Sequence, residues 1–231
     1  MNRREEVLAK LSLVLDPELD QSLTELGFID DIQLSGNDVT VSFRLPTYWC
    51  GVNFSFLMAS DIRKRVSELP WVNNVSVRLK DHSFAKEINE AVSNGKSFRE
   101  AFPDMATEDL DELQRHFRMK AFTVRQEKLL RYLLQSEFSK SSIVRMTVQE
   151  LRKLQEHDKN GRPFIERYLD ILQELNFPME PEGLAFLKPD REPITEPEFD
   201  RYLLHSRRTR ISMEFNANYC RGLFKTRYET G

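Results

Sequence analysis

The sequence predicts an α+β protein. A small two-layer helix/sheet domain, ordered helix–hairpin–helix–strand, is followed by a mostly α-helical C-terminal region. Three observations predict this. Segments in which apolar and polar residues alternate one by one, the mark of half-buried strands, end before Asp81. Apolar stripes at helical spacing flank those segments and then continue to the end of the chain. The composition is that of a globular protein, with 231 residues of which 40% are apolar and 31% charged. This excludes collagen-like, mucin-like and membrane-embedded classes.

The elements follow in order. Val7, Leu8, Leu11, Val14 and Leu15 recur at helical spacing and predict an opening amphipathic helix, stopped by Asp16-Pro17 because the residue before proline leaves the helical region. Leu23 and Leu26, followed by Gly27, predict a short helical turn with a glycine stop. Phe28 to Leu34 reads as a strand, and Ser35-Gly36-Asn37-Asp38 as the turn of a hairpin. Val39, Val41, Phe43 and Leu45 alternate with Thr40, Ser42 and Arg44 and predict the second strand, which Pro46 ends. A helix from Gly51 to Glu68 is predicted by Val52, Phe56, Ala59, Ile62 and Val66, and a third strand by Val75, Val77 and Leu79. Such a sheet, covered by helices on one face, forms a two-layer domain over residues 1–82.

Beyond Asp81 the periodicity is helical. Phe84–Val92 and Ser97–Phe102 are short helical pieces, and Thr107-Glu108-Asp109 opens a long helix with a stripe of Leu110, Leu113, Phe117, Ala121, Val124, Leu129, Leu130, Leu133 and Leu134. Thr147-Val-Gln-Glu150 and Thr195-Glu-Pro-Glu198 both read as capping boxes. Pro163 marks a further helix start, with Phe164, Tyr168, Ile171 and Leu175 on its buried face. The helical extension over 83–231 contains a winged-helix-like order over 128–188 and is expected to bind a client or partner protein.

Charge and cysteine content narrow the function classes. Lys+Arg is 34 and Asp+Glu 37, giving a net charge of −3, so a molecule-wide basic field for nucleic acid is absent. The helix from Pro163 would be the reading helix of a winged helix, yet it sets Glu166, Asp170 and Glu174 against Arg162 and Arg167, a poor face for phosphates. The two cysteines, Cys50 and Cys220, are too few for a disulfide framework, a four-thiolate zinc site or a self-contained iron–sulfur cluster. The start of the chain is charged and the longest apolar run, Phe54–Ala59, is broken by Ser55, so neither a targeting segment nor a membrane span is expected and the default location is the cytoplasm.

One segment carries reactive chemistry: Leu45-Pro46-Thr47-Tyr48-Trp49-Cys50-Gly51, between the second strand and the next helix. A cysteine there faces free amide N–H groups and the positive end of a helix, which suit a negatively charged sulfur. It can bind a soft metal or attack an electrophile. Spacing alone leaves a second role open, a small residue packed beside Trp49 and Phe54.

The first ~100 residues resemble the PaaD/SufT-type domain of metal–sulfur cluster assembly factors. Asp16-Pro17-Glu18 follows an opening helix, and Ser22-Leu23-Thr24-Glu25-Leu26-Gly27-Phe28-Ile29-Asp30 resembles the family's glycine-containing stretch. A Gly-turn hairpin, a Thr-x-x-Cys loop from Thr47 to Cys50, a helix with Asp61-Ile62-Arg63, and Leu69-Pro70-Trp71-Val72 then come in the family's order. The resemblance implies that Cys50 is the metal-binding or reactive residue and that Asp16, Glu18 and Thr47 shape its surroundings. Gly51 stands where members often have proline, and Tyr48-Trp49 is bulkier than the small residues expected there. The resemblance also implies a non-enzymatic maturation factor, a transient carrier or adaptor that delivers a cluster or metal to a client metalloprotein.

One Cys50 per chain cannot hold a cluster that normally takes about four thiolates. A transient iron–sulfur cluster would therefore be shared between chains, in a homodimer or with a client or another assembly protein. The alternatives are a metal-free interaction or regulatory module with a structural Cys50 and, third, a nucleic-acid-binding regulator.

Other candidates are weaker. His82, with Glu87 near by, reads as a hydrogen-bonded residue at a strand end, and His116, His157 and His205 are isolated. Arg207, Arg208 and Arg210 make a locally basic stretch, extended by Arg221, Lys225 and Arg227, that reads either as a solvated helix end or as a dock for an acidic partner. No phosphate-binding glycine loop or nucleophile elbow is present. Cys220 defaults to a small buried residue, and nothing in the sequence says whether it approaches Cys50.

Overall fold

The computed structural model describes residues 2–105 and 110–229, and these confirm an α+β architecture. The chain divides into two compact units, 1–114 with 214–231, and 115–213.

In the first unit, helix α1 (Arg3–Leu11) starts at Asn2, whose side chain accepts from the Glu5 N–H while Glu5 reaches back to the Asn2 N–H. Strands β1 (Ile29–Ser35) and β2 (Asp38–Arg44) form the expected hairpin, with Ser35 opposite Asp38 and Gly36 at φ +61° supplying the left-handed turn residue. Helix α2 (Val52–Ser67) then crosses to β3 (Asn74–Lys80), which pairs parallel to β2. The sheet order is β1-β2-β3, so the strand with the cleanest alternation is the central one. Val39, Val41 and Phe43 from β2 and Val77 and Leu79 from β3 are buried against Phe56, Ala59, Ile62 and Val66 of α2. Helix α3 (Ala85–Ser93) closes the layer. Its Asn89 accepts from the Leu79 N–H at 2.8 Å and donates to the Leu79 carbonyl at 3.1 Å, so one side chain pairs both backbone groups on an edge strand. The short α4 (Phe98–Ala101) starts at a Ser97 capping box.

The motif stretch between α1 and β1 is a capped turn. The Ser22 hydroxyl accepts from the Glu25 N–H at 3.1 Å, Leu23 and Leu26 are buried, and Gly27 sits at φ +75° where the Phe28 N–H returns to the Leu23 carbonyl. The serine, the two leucines and the glycine are therefore the cap, the anchors and the stop of one element.

The second unit is helical. It holds most of α5 (Leu110–Gln135), then α6 (Lys140–Arg145), α7 (Val148–His157), α8 (Arg162–Glu174) and the first half of α9 (Phe199–Tyr228), whose second half belongs to the first unit. The expected helix start at Thr107–Asp109 lies outside the described residues. Thr147 forms the expected capping box and Pro163 sits in the first turn of α8. Thr195 does not form the expected one. Glu196–Glu198 is a 3-10 turn, and the Thr195 hydroxyl donates to the Glu198 carboxylate at 2.6 Å instead of accepting a backbone N–H. Single antiparallel bridges join Thr147 to Leu184 and Leu187 to Pro193. No helix among the described residues is long and apolar enough to cross a membrane.

The core of this unit contains a buried polar network. Gln126 donates to the Tyr168 hydroxyl and to the Leu187 carbonyl, both at 2.8 Å, and Tyr168 donates to the Ala185 carbonyl at 2.8 Å. Burial pushes the Tyr168 hydroxyl far above the usual tyrosine range, so it serves as a fixed donor.

Candidate functional site

Cys50 lies on the loop between β2 and α2, immediately before Gly51, the N-cap of α2. It is half-buried against the first unit's core, whereas Tyr48 and Trp49 beside it are 52% and 78% exposed. The Thr47 hydroxyl lies 3.2 Å from the Cys50 sulfur, so the Thr-x-x-Cys spacing folds back into a direct contact.

His82 holds this loop in place. Its Nδ1 lies 3.2 Å from the Phe84 N–H and accepts from it, which puts the ring proton on Nε2. Nε2–H then donates to the Cys50 carbonyl at 2.8 Å. Burial holds the His82 ring below the usual histidine range, and the charge of Arg227 acts in the same direction. His82 is thus a buried, hydrogen-bonded residue that fixes the backbone of Cys50. Ser55, also buried, donates to the Gly51 carbonyl at 2.9 Å and ties the first turn of α2 to the same loop.

The Asp16 loop is equally local in origin. The Asp16 side chain accepts from the Glu18 and Leu19 N–H groups at 2.9 and 3.0 Å, closing a turn around Pro17, and the Asp16 N–H donates to the Gln21 carbonyl at 2.9 Å. Burial pushes the Asp16 carboxyl up to about 6, despite the two amides that favour its charged form.

The feature that sequence reasoning missed comes from the other end of the chain. The second half of α9 lies on the first unit through Ala217, which is buried, and through Cys220 and Phe224, which pack on the core. The Phe224 ring is 5.2 Å from that of Phe28. Arg221 donates to the Gln21 side chain at 2.5 Å, and Arg227 donates to the Asp81 carbonyl at 2.8 Å. Cys220, like Cys50, is thus partly buried against the first unit's core, and Asp16, Glu18 and Cys50 act on it electrostatically. Burial, with the charges of those three groups, pushes its thiol up to about 11. The signal was present in the spacing of Ala217, Cys220, Phe224 and Tyr228, one face of a helix, but its partner surface was not.

The basic residues separate. Arg207 and Arg208 are exposed, while Arg210 is nearly buried and its guanidinium lies 2.8 Å from the buried carboxylate of Glu127. Arg221 and Arg227 are held within the first unit. Among the described residues no group of three or more His, Cys, Asp or Glu side chains is arranged to hold a metal ion.

Comparison with known proteins finds matches in the first unit. A family model described as iron–sulfur cluster assembly protein matches residues 4–77, from α1 into β3 and including Cys50. An uncharacterized protein of Methanocaldococcus jannaschii is 33% identical over 93 residues, which cover 39% of this chain and 94% of that protein. The chain belongs to the iron–sulfur cluster assembly family.

Two further relatives of this assembly family carry descriptive names. The iron–sulfur cluster carrier protein of Synechocystis is 38% identical over 73 residues, 32% of this chain and 20% of the relative. The chloroplastic Fe–S cluster assembly factor HCF101 of Oryza sativa subsp. japonica is 29% identical over 76 residues, 33% of this chain and 14% of the relative. The chain thus spans a fifth or less of the length of these two. The family match holds Asp16, Glu18, Thr47 and Cys50 but ends before His82 and Cys220.

Proposed function

We propose that this chain is a non-catalytic iron–sulfur cluster assembly factor of the cytoplasm, a transient carrier or adaptor that passes a cluster or metal to a client metalloprotein. The observation that carries the reading is Cys50 itself. It is a free, half-buried thiol on a loop whose backbone His82 pins and whose flanking Tyr48 and Trp49 face outward. A pinned thiol beside exposed aromatics suits a site that must meet another protein's ligands, because aromatic side chains are favoured contact residues. Too few thiols for complete cluster ligation is a property of a carrier, which has to release its cargo. The missing ligands would come from a second copy of the chain, another assembly protein, the client or a small thiol. The helical second unit, with Arg207 and Arg208 exposed on α9, would select the partner.

The test is anaerobic reconstitution of the full chain with ferrous iron and sulfide, followed by transfer to an apo-ferredoxin. Sulfur-to-iron charge-transfer absorption is expected in the wild type, lost in Cys50→Ala, and passed to the ferredoxin. Absorption of equal strength in wild type and Cys50→Ala, or none in either, would overturn the carrier reading.

A further inference from the structure

The last helix packs a second thiol, Cys220, on the same core that Cys50 packs against. Residues 217, 220, 221, 224 and 228 lie on one face of α9 because a helix repeats every three to four residues. Four contacts fix where that face rests. Ala217 is buried in the first unit's core, Arg221 reaches Gln21, Phe224 meets Phe28, and Arg227 reaches the Asp81 carbonyl next to His82. Gln21 ends the loop that Asp16 begins, and His82 holds the carbonyl of Cys50. A side chain between Ala217 and Phe224 on this face therefore lies between the Asp16 loop and the Cys50 loop, and that side chain is Cys220.

We propose that Cys220 is the second thiol of the Cys50 site, so that a soft metal ion or an iron–sulfur cluster is held by two sulfurs of a single chain. The proposal rests on the reading that Cys50 handles a metal–sulfur centre and sharpens it, since the cargo then needs fewer ligands from outside. The chemistry of the donors selects the cargo: paired thiolates prefer zinc, cadmium, cuprous or iron–sulfur species to hard cations. Asp16 and Glu18 act on the Cys220 thiol through their negative charge, and Arg221 donates to the side chains of Gln21 and Asn218. Binding breaks the S–H bonds of Cys50 and Cys220, forms two sulfur–metal bonds and releases the protons to solvent, with no change of oxidation state.

Cadmium(II) titration of the reduced full chain tests this, because absorption from thiolate-to-cadmium charge transfer counts sulfurs per bound ion. Cys50→Ser and Cys220→Ser are each expected to lower the absorption per ion to about half. Wild-type absorption in Cys220→Ser with loss in Cys50→Ser would overturn the role of Cys220 and leave the Cys50 reading standing. Wild-type absorption in both variants would overturn both. A second measurement needs no variant. A bifunctional bimane reagent that fluoresces only when it bridges two thiols is expected to react with the native chain, and failure to bridge would overturn the pairing even if a variant misfolds.

Discussion

At the residue scale, two side chains hold the Cys50 and Asp16 loops. His82 donates to the part-buried carbonyl of Cys50, so His82→Ala leaves an acceptor without its donor and is expected to cost about 1–3 kcal/mol of stability, measured by chemical denaturation. Asp16 gives a pH signature. Its carboxyl rises from an ordinary 3.8 to about 6 in the folded chain, so the folded state binds this proton more tightly than the unfolded state does. The charged form is therefore a cost above pH ~6 that disappears as the pH falls towards ~4, and it amounts to about 3 kcal/mol at most. Asp16→Asn keeps an acceptor for the Glu18 and Leu19 N–H groups and removes the buried charge. It is expected to be more stable than wild type in denaturation at pH 8, with the difference vanishing near pH 3.5. A constant difference across that range would refute this account of Asp16.

At the element scale, the turn from Ser22 to Phe28 shows how a motif acts mechanically. Gly27 has φ +75° and no atom within 4 Å of where a Cβ would stand, so Gly27→Ala meets no clash and pays only the left-handed backbone cost. A loss of about 1–2 kcal/mol is expected, with the thermal midpoint as readout and an unchanged circular dichroism spectrum. The capping signal was legible where the backbone followed the helical path, as at Thr147. The same signal failed at Thr195, because Pro197 lies within a tight 3-10 turn and Glu198 takes the hydroxyl proton. In the second unit the apolar stripes of α5 and α8 were readable, but the network of Gln126 and Tyr168 between them was not. Tyr168→Phe is expected to cost about 1–3 kcal/mol by leaving the Ala185 carbonyl unpaired.

At the scale of the whole molecule, the first unit is discontinuous in sequence, since residues 214–231 belong with 1–114. A chain ending at residue 213 would uncover Phe28 and the Cys50 loop and lose the contacts of Ala217 and Phe224. It is expected to melt at lower temperature and to label faster at Cys50 with a thiol reagent. Equal melting and labelling would show that the end of α9 contributes nothing to the unit.

The sequence by itself determined the α+β class, the order of helix, hairpin, helix and strand, and the loop that presents Cys50. Those features depend on periodicity, caps and turn residues, whose physics acts within a few positions of the chain. Only the tertiary structure decided that β3 pairs parallel to β2, that His82 holds the Cys50 loop, and that Cys220 packs on the first unit's core. The end of α9 is held on the first unit by burial of Ala217 and packing of Cys220 and Phe224 against a surface built elsewhere in the chain. Local periodicity marks the face of a helix that will be buried, but the choice of partner surface is a property of the whole chain's packing.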